Sequence, residues 1–415
     1  MTTATGLDAQ LGYKLESTVG TEVTVDKFIE FNSESLVFDP GWIEPEGLRA
    51  GTKFKRGSRL VQSRFTISGS TELDMSTRLM GGLFKLAIGS SVTTPTAMTR
   101  TVSVTTTTGQ TNITASGTGG NVFFPSDTGC TITGAGIPGG ATLTFVSSTS
   151  ATLSAAATAS ATVPATITST TAFKQVHQTG DLLGKSATFQ VGRPQPADGV
   201  VKAHTYRGCK VDGWEFSVSD NDVAKLSLDI DGWQESTATA LAVASYVNSE
   251  VFNFAQCTGI LLNPALSGTT ELIGTGGTAV QAVVHSLSIK GDNALATERY
   301  GLGNAGVKKE QLENGIPVLT ISMEAEYSKA EFYDTFKANT ATALQIPFVG
   351  SNIGSLASAF SNTLEFIIPQ ARIKNATPTV DGPDIVKATV EAEVYADGTN
   401  NPFQVKIIGG DTTAI

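Results

Sequence analysis

The residues that first invite a chemical reading are Gly180-Asp181-Leu182-Leu183-Gly184-Lys185-Ser186. A glycine-rich loop ending in Gly-Lys-Ser can wrap backbone N–H groups around phosphates. The spacing is one residue short, because the motif needs glycine at 179 and Thr179 stands there. His177, His204 and His285 share no metal-ligand spacing with one another or with Cys130, Cys209 and Cys257. The cysteines are odd in number and widely scattered, which argues for free thiols acting as small buried hydrophobes over a disulfide framework. Asp229 and Asp231 stand two apart on one strand face and could hold a cation, but no third ligand accompanies them. Glycan hydrolysis would need an acid and a base converging in a cleft, and no such pair stands out. The sequence thus predicts no catalytic residue, no cofactor and no metal site.

What remains is a charge pattern. The net charge of −10 argues against holding nucleic acid by phosphate neutralisation, though not against a surface past which DNA slides. Residues 49–64 run the other way: Arg49, Lys53, Lys55, Arg56, Arg59 and Arg64 occur with no acid among them. Such a loop is either solvated, a nucleic-acid contact, or a surface that docks on an acidic face of a neighbouring copy, where charge sets register and orientation.

The elements that must carry these charges are predicted to be strands. With 415 residues, 40% hydrophobic and only 16% charged, the chain has room for two or three cores and a composition suited to short strands and turns. No basic segment followed by an apolar core opens the chain, and no run of about eighteen apolar residues occurs, which predicts neither secretion signal nor membrane span. From Val92 to Ser169 only Arg100 and Asp127 are charged; the rest is Thr, Ser, Ala, Gly and scattered apolar residues. Val102–Thr106, Thr131–Ile132, Thr142–Val146 and Ala151–Leu153 lean towards strand between Gly- and Ser-rich turns, so a small inserted β-sandwich is expected, with a disordered linker as the alternative.

Outside that insert one pattern occurs twice. Ser35-Leu36-Val37-Phe38 matches Ser286-Leu287-Ser288-Ile289, and each opens a long polar loop. The alternating run Phe65–Glu72 matches Leu319–Glu326, and each precedes a predicted helix. Ser76 is placed to cap the first helix, whose Leu79, Met80, Leu83, Phe84 and Ala87 share a face before Gly89; Ser328 and Glu331 form a capping box for the second, with Phe332 and Phe336 one turn apart. Asp222–Asp231 matches Asp384–Glu393 as the second arm of a hairpin. Alternation puts Leu226, Leu228, Ile230, Val390 and Ala392 inside and Asp229, Asp231, Glu391 and Glu393 outside, with Glu72 and Glu326 at matching places in the preceding strands. A solvated sheet face accounts for these carboxylates. The sharper reading is an assembly surface, in which duplicated modules close their strands into one barrel with the carboxylates along one wall.

The run Gly6-Leu7-Asp8-Ala9-Gln10-Leu11-Gly12-Tyr13-Lys14-Leu15-Glu16-Ser17-Thr18-Val19-Gly20-Thr21, followed by Phe28-Ile29-Glu30-Phe31 and Glu34-Ser35-Leu36, resembles the opening of tail tube proteins of long, flexible-tailed bacteriophages. Gly47-Leu48-Arg49-Ala50-Gly51 and Phe65–Gly89 resemble that family too, and the likeness is strongest in the first ninety residues. The resemblance implies a β-sandwich with a flanking helix. Joined to the repeat read above, it gives a mainly β chain of two tandem tube-type modules, residues 1–91 with 170–240 and residues 241–415, with 92–169, which is not part of the family's common pattern, as a small inserted β domain placed on the outside of the tube. It further implies stacked rings for DNA passage, trimers acting as pseudo-hexamers with true hexamers as the alternative. Glu72, Asp229, Asp231, Glu326, Glu391 and Glu393 would then be the lumen candidates, and the basic loop of Arg49, Lys53, Lys55, Arg56, Arg59 and Arg64 the contact between rings. Tape measure, tail terminator and distal tail proteins would be partners, in a virion tail assembled in the host cytoplasm without membrane. The competing class is a surface adhesin or fibre-type β protein that binds host glycans through the insert.

Overall fold

The computed structural model describes residues 4–89, 95–116, 122–354, 357–380 and 382–413. The first half contains β1 (Gln10–Leu15), β2 (Lys27–Ile29), β3 (Val37–Asp39), β4 (Thr66–Asp74), α1 (Gly81–Ile88), β5 (Ala161–Gln178), β6 (Ala187–Gln195), β7 (Val200–Ser219) and β8 (Lys225–Gly232). The second contains β9 (Val284–Asp292), β10 (Val318–Glu326), α2 (Glu331–Ala338), β11 (Ala341–Asn352), β12 (Ser361–Asn375), β13 (Lys387–Val394) and β14 (Gln404–Gly409). Strands dominate, as the composition predicts.

Period-two alternation decides how these strands are used. β3, β4, β8, the C-terminal half of β7, β9, β10, β13 and the C-terminal end of β12 pair in that order, all antiparallel, into one continuous sheet. Its inner row reads Leu73, Leu226, Phe216, Ile289, Ile321, Ala392, Ile373 across successive strands. Each is buried in a single hydrophobic cluster that spans both halves. Its depth comes from aromatics: Phe216 meets Phe348 edge-on and Phe366 at a tilt, and Phe366 stacks with Phe403.

The two halves repeat one ladder. In the first, β4 pairs with β8, β8 with β7, β7 with β6, and β6 with β1. In the second, β10 pairs with β13, β13 with β12, β12 with β11, and β11 with the short strand Leu261–Leu262. Lys210 opposite Asp231 corresponds to Arg372 opposite Glu393, and Ser217 opposite Lys225 to Thr379 opposite Lys387. Even the irregularity repeats, between Val211 and Gly213 and between Ile373 and Asn375. One register differs: Ser68 faces Asp231, whereas Thr320, two residues earlier than the sequence match implies, faces Glu393. A slip of two preserves which side chains face the core. The halves also join through β14, which pairs with both β12 and Phe173–Gln178 of β5.

Within 95–170, strands at Thr96–Thr106, Asn112–Ala115, Thr131–Gly134, Leu143–Ser147 and Ser150–Leu153 pair with one another and with the first part of β5. They enclose a hydrophobic cluster separate from the main one, including Val104, Ile113, Phe123, Ile132, Leu143 and Ile167. Its two charges meet: Arg100 pairs with the buried Asp127 and lies over the Phe124 ring. Val92 to Thr94, where the predicted insert begins, lie outside the described residues.

Both helices start differently from expectation. Ser76 accepts from Arg78 N at 3.2 Å, and Asp411 holds Leu79 N at 2.7 Å with Leu79 at φ +67°, so α1 begins only at Gly81, with no side-chain cap. Gly89 ends it in the left-handed region, as predicted. At α2, Glu331 is drawn away from the expected capping box to accept from Gln281 N at 2.9 Å, and Ala330 precedes the helix uncapped.

Candidate assembly surface

The face of the continuous sheet opposite the core is polar. One row across it reads Glu72, Ser227, Glu215, Lys290, Thr320, Glu393, Arg372; another reads Asp74, Lys225, Ser217, Ser288, Ser322, Glu391, Asn375. The structure thus brings Glu72, Glu391 and Glu393 onto one surface, with Asp229 opposite Ser70 and Glu326 opposite Lys387 on the same side. The wall is mixed in sign. Lys387 pairs with Glu324 at 2.6 Å, each about half-exposed, and holds that carboxyl below the usual range. Lys374 stands 3.4 Å from Glu393, and His285 stands 3.2 Å from Glu326. Asp229 and Glu391 are exposed.

Asp231 corrects the expectation that it points to open space. It lies on the polar side, but is only 6% exposed, because residues 293–317, the loop between β9 and β10, fold over it. Lys308, 1% exposed, donates to Asp231 Oδ1 at 2.6 Å, and Gln311 Nε2 donates to Oδ2 at 2.8 Å. Burial pushes the Asp231 carboxyl up, with Lys308 opposing it. The same loop is tied down at several points. Trp233 Nε1 donates to Gln311 Oε1 at 2.9 Å, and the buried Lys210 donates to Glu310 at 2.7 Å. Tyr300 OH donates to Phe65 O at 2.6 Å, Phe65 N donates to Gly306 O at 2.8 Å, and Arg64 pairs with Glu298 at 2.6 Å beneath the Tyr300 ring. A buried ion pair this well bonded is costly to break from one side, since the remaining charge stays desolvated.

The matching loop of the first half, residues 40–65, carries the six predicted cations and is far less engaged. Arg49, Lys53 and Lys55 are exposed, as are Trp42, Leu48 and Phe54. Lys55 pairs with Glu44 inside the loop, and the Arg59 guanidinium lies against Gly47. Arg56 is half-buried, and Arg64 is committed to Glu298. The structure therefore splits the set: Arg64 serves the junction within the chain, and the others line an outward loop.

Sequence reasoning missed Lys308, Gln311, Lys210, Glu310 and Trp233 as the fastening of that junction. A signal for it existed. Gly47-Leu48-Arg49-Ala50-Gly51-Thr52-Lys53 and Gly301-Leu302-Gly303-Asn304-Ala305-Gly306-Val307-Lys308 are one motif with a single residue inserted. Gly51 and Gly306 share the left-handed conformation at φ +78° and +79°.

The chemical candidates take structural places. Lys185 donates to the carbonyls of Gly89 and Asp181, and Gly180 N donates to Ile88 O at 2.8 Å, so the segment resembling a phosphate loop closes the C-terminus of α1. It then enters strand β6, where a phosphate loop would enter a helix. His177 is fully buried beside Phe84, and burial first, then Lys85, pushes its imidazole down to about 3. His204 bonds Glu235 at 2.7 Å. All three cysteines are free. Among the described residues no cluster of His, Cys, Asp and Glu could hold a metal ion, and no helix is long and apolar enough to cross a membrane.

A β-dominated chain with a broad polar sheet face, a continuous ladder through both halves and sequence-distant elements fastened by charge has the form of a structural building block. Residues 175–394 match the family described as phage tail tube protein, and the chain belongs to that family. It is a structural, tube-forming component of a phage virion. The match runs from β5 to the end of β13 and crosses the junction between the two halves. None of the curated proteins matches the chain.

Proposed function

We propose that this tube subunit carries two copies of one tail tube module and assembles as a trimeric, pseudo-hexameric ring, with rings stacked around a passage for DNA. The observation that carries the reading is the junction inside the chain. There β7 of the first ladder pairs with β9 of the second from Gly213 opposite Asp292 to Ser219 opposite Ser286. The repeated registers place the edge beyond Asn375 where Gly213–Ser219 stand in the first half, and place β3 where β9 stands in the second. Both edges lack a second neighbour among the described residues, and each is the complement of the other. Open edges of this kind are pairing surfaces. Closing them between copies extends the sheet into a barrel.

On this reading the polar rows containing Glu72, Asp229, Glu326, Glu391 and Glu393 line the passage. The excess of carboxylates over lysines keeps DNA phosphates from adhering. Arg49, Lys53, Lys55, Arg56 and Arg59 contact neighbouring copies. Residues 92–169 stand outside the tube as a separate domain, a placement supported by their own hydrophobic cluster. Tape measure, terminator and distal tail proteins are the partners such a tube needs in the virion, and host cytoplasm is where it would assemble.

Electron microscopy of the purified protein tests this. Three-fold rings or tubes, formed equally by a chain lacking residues 92–169, are expected. Six full chains per ring, or a persistent monomer, would overturn the trimeric arrangement. Assembly lost with the insert would put residues 92–169 among the assembly contacts and overturn their position outside the tube.

A further inference from the structure

The junction within the chain has two parts, a strand pairing and a loop that crosses over it. The loop after β9 passes beyond β7 and lands on the next strands, against Ser63–Phe65 and Asp231–Trp233. The equivalent positions in the second half are Pro317–Leu319 and Glu393–Tyr395. These residues line an open groove of about 500 Å³, floored by Trp214 and Phe403 and flanked by the exposed Ile316. Within the chain nothing described crosses it, while the loop that matches 293–317 extends from the opposite edge with Arg49, Lys53, Lys55, Trp42 and Phe54 exposed.

Gly306 sits so close to the first half that a Cβ there would strike the Ser63 carbonyl oxygen; Gly51 has the same left-handed backbone with open space around it. The loop after β3 thus holds the conformation of a docked loop without its dock. We infer that residues 40–62 of one copy fill the groove at Pro317–Leu319 and Glu393–Tyr395 of the neighbouring copy in the ring, with Lys53 pairing with Glu393 as Lys308 pairs with Asp231. The inference rests on the assembly proposed above and names the contact within it. It places the basic loop within the ring, where the sequence reading had set it between rings.

Charge supports the match at this position and breaks it at another. Lys53 carries the sign of Lys308, and Glu393, which Lys374 of its own chain approaches to 3.4 Å, that of Asp231. Glu310, partner of Lys210, has no acidic counterpart in the basic loop, and Arg372, which stands in the place of Lys210, turns instead to Asn339 O at 2.6 Å. Val318 likewise stands in the place of Arg64, the partner of Glu298, so the contact between copies rests on Lys53 and the apolar groove, with two fewer ion pairs than the contact within the chain.

A carbodiimide, which joins an amine to a carboxylate in direct contact, reads this out on the full chain. Labelled and unlabelled chains are mixed, assembled, treated and mapped by mass spectrometry. The exposed pair Lys387–Glu324, 2.6 Å apart within one chain, is the internal control and should couple in monomer and assembly alike. A Lys53–Glu393 isopeptide of mixed isotope, present in assemblies and absent from monomer, is the expected result. Assemblies that show the control product without the Lys53–Glu393 product overturn the inference and leave the tube intact. Failure of the unmodified protein to assemble overturns the underlying proposal instead. As a second measurement, Lys53→Ala should raise the concentration needed for ring formation about fivefold, the worth of a partly exposed pair. An unchanged concentration would remove the ion pair from the contact.

Discussion

The loops at 293–317 and 40–65 share an opening motif and a left-handed glycine, yet one is fastened and the other is open. The first buries Lys308 to 1% exposure and satisfies Asp231, Trp233, Lys210 and Phe65 in one network. The second leaves Lys53, the counterpart of Lys308, in solvent. Covalent continuity explains the difference. The loop after β9 finds its dock within the same chain at high effective concentration, whereas the loop after β3 extends from an open edge of the sheet. On the proposed assembly, the buried network and the exposed loop are one design with and without its partner.

The comparison predicts unequal costs in the free chain. Lys308→Ala leaves the Asp231 carboxylate buried without its cation and should lower unfolding free energy by about 3–5 kcal/mol. Lys53→Ala should leave it within about 0.5 kcal/mol. Urea denaturation of the monomer checks both, and equal effects would break the distinction. Next in size, Gly306→Ala forces both a left-handed alanine and a collision with Ser63, for about 2–4 kcal/mol. Gly51→Ala pays only for backbone handedness, about 1–2 kcal/mol, which thermal melts of the two variants would resolve.

The smallest effect is a pH slope. Burial lowers the Lys210 ammonium below its ordinary 10.5, although Glu310 opposes the shift. Between the folded and unfolded values the unfolded chain binds more protons, so Lys210 makes stability rise with pH as 10.5 is approached. In Lys210→Met that rise should disappear from urea midpoints measured across the alkaline range. The open junction has no lysine at this place, where Arg372 stands opposite Glu393.

Much of this fold was legible because strand alternation is a local signal. Leu226, Leu228, Ile230, Val390 and Ala392 face the core as their spacing predicts. The strand segments of the insert were found at Val102, Thr131, Thr142 and Ala151 for the same reason. Asp231 was misread because alternation assigns a side but not what later covers it, and its cover arrives from a loop some seventy residues on. Ser76 and Ser328 were misread as caps because each local hydrogen bond lost to a distant one, from Asp411 and from the backbone at Gln281. The candidate surface was legible as a set of charges but not as a pair of loops. The motif shared by Gly47–Lys53 and Gly301–Lys308 carries one inserted residue, which hides it from a comparison made strand by strand.

The strands that lead into and out of residues 95–170 lie side by side, with Thr96 opposite Lys174 and Ala97 opposite Phe173. A segment whose entry and exit are neighbours in one ladder exerts no leverage on the frame that holds it. A fold with adjacent termini put in place of these residues should therefore leave the frame intact, which offers an attachment point for displayed cargo at one copy per subunit.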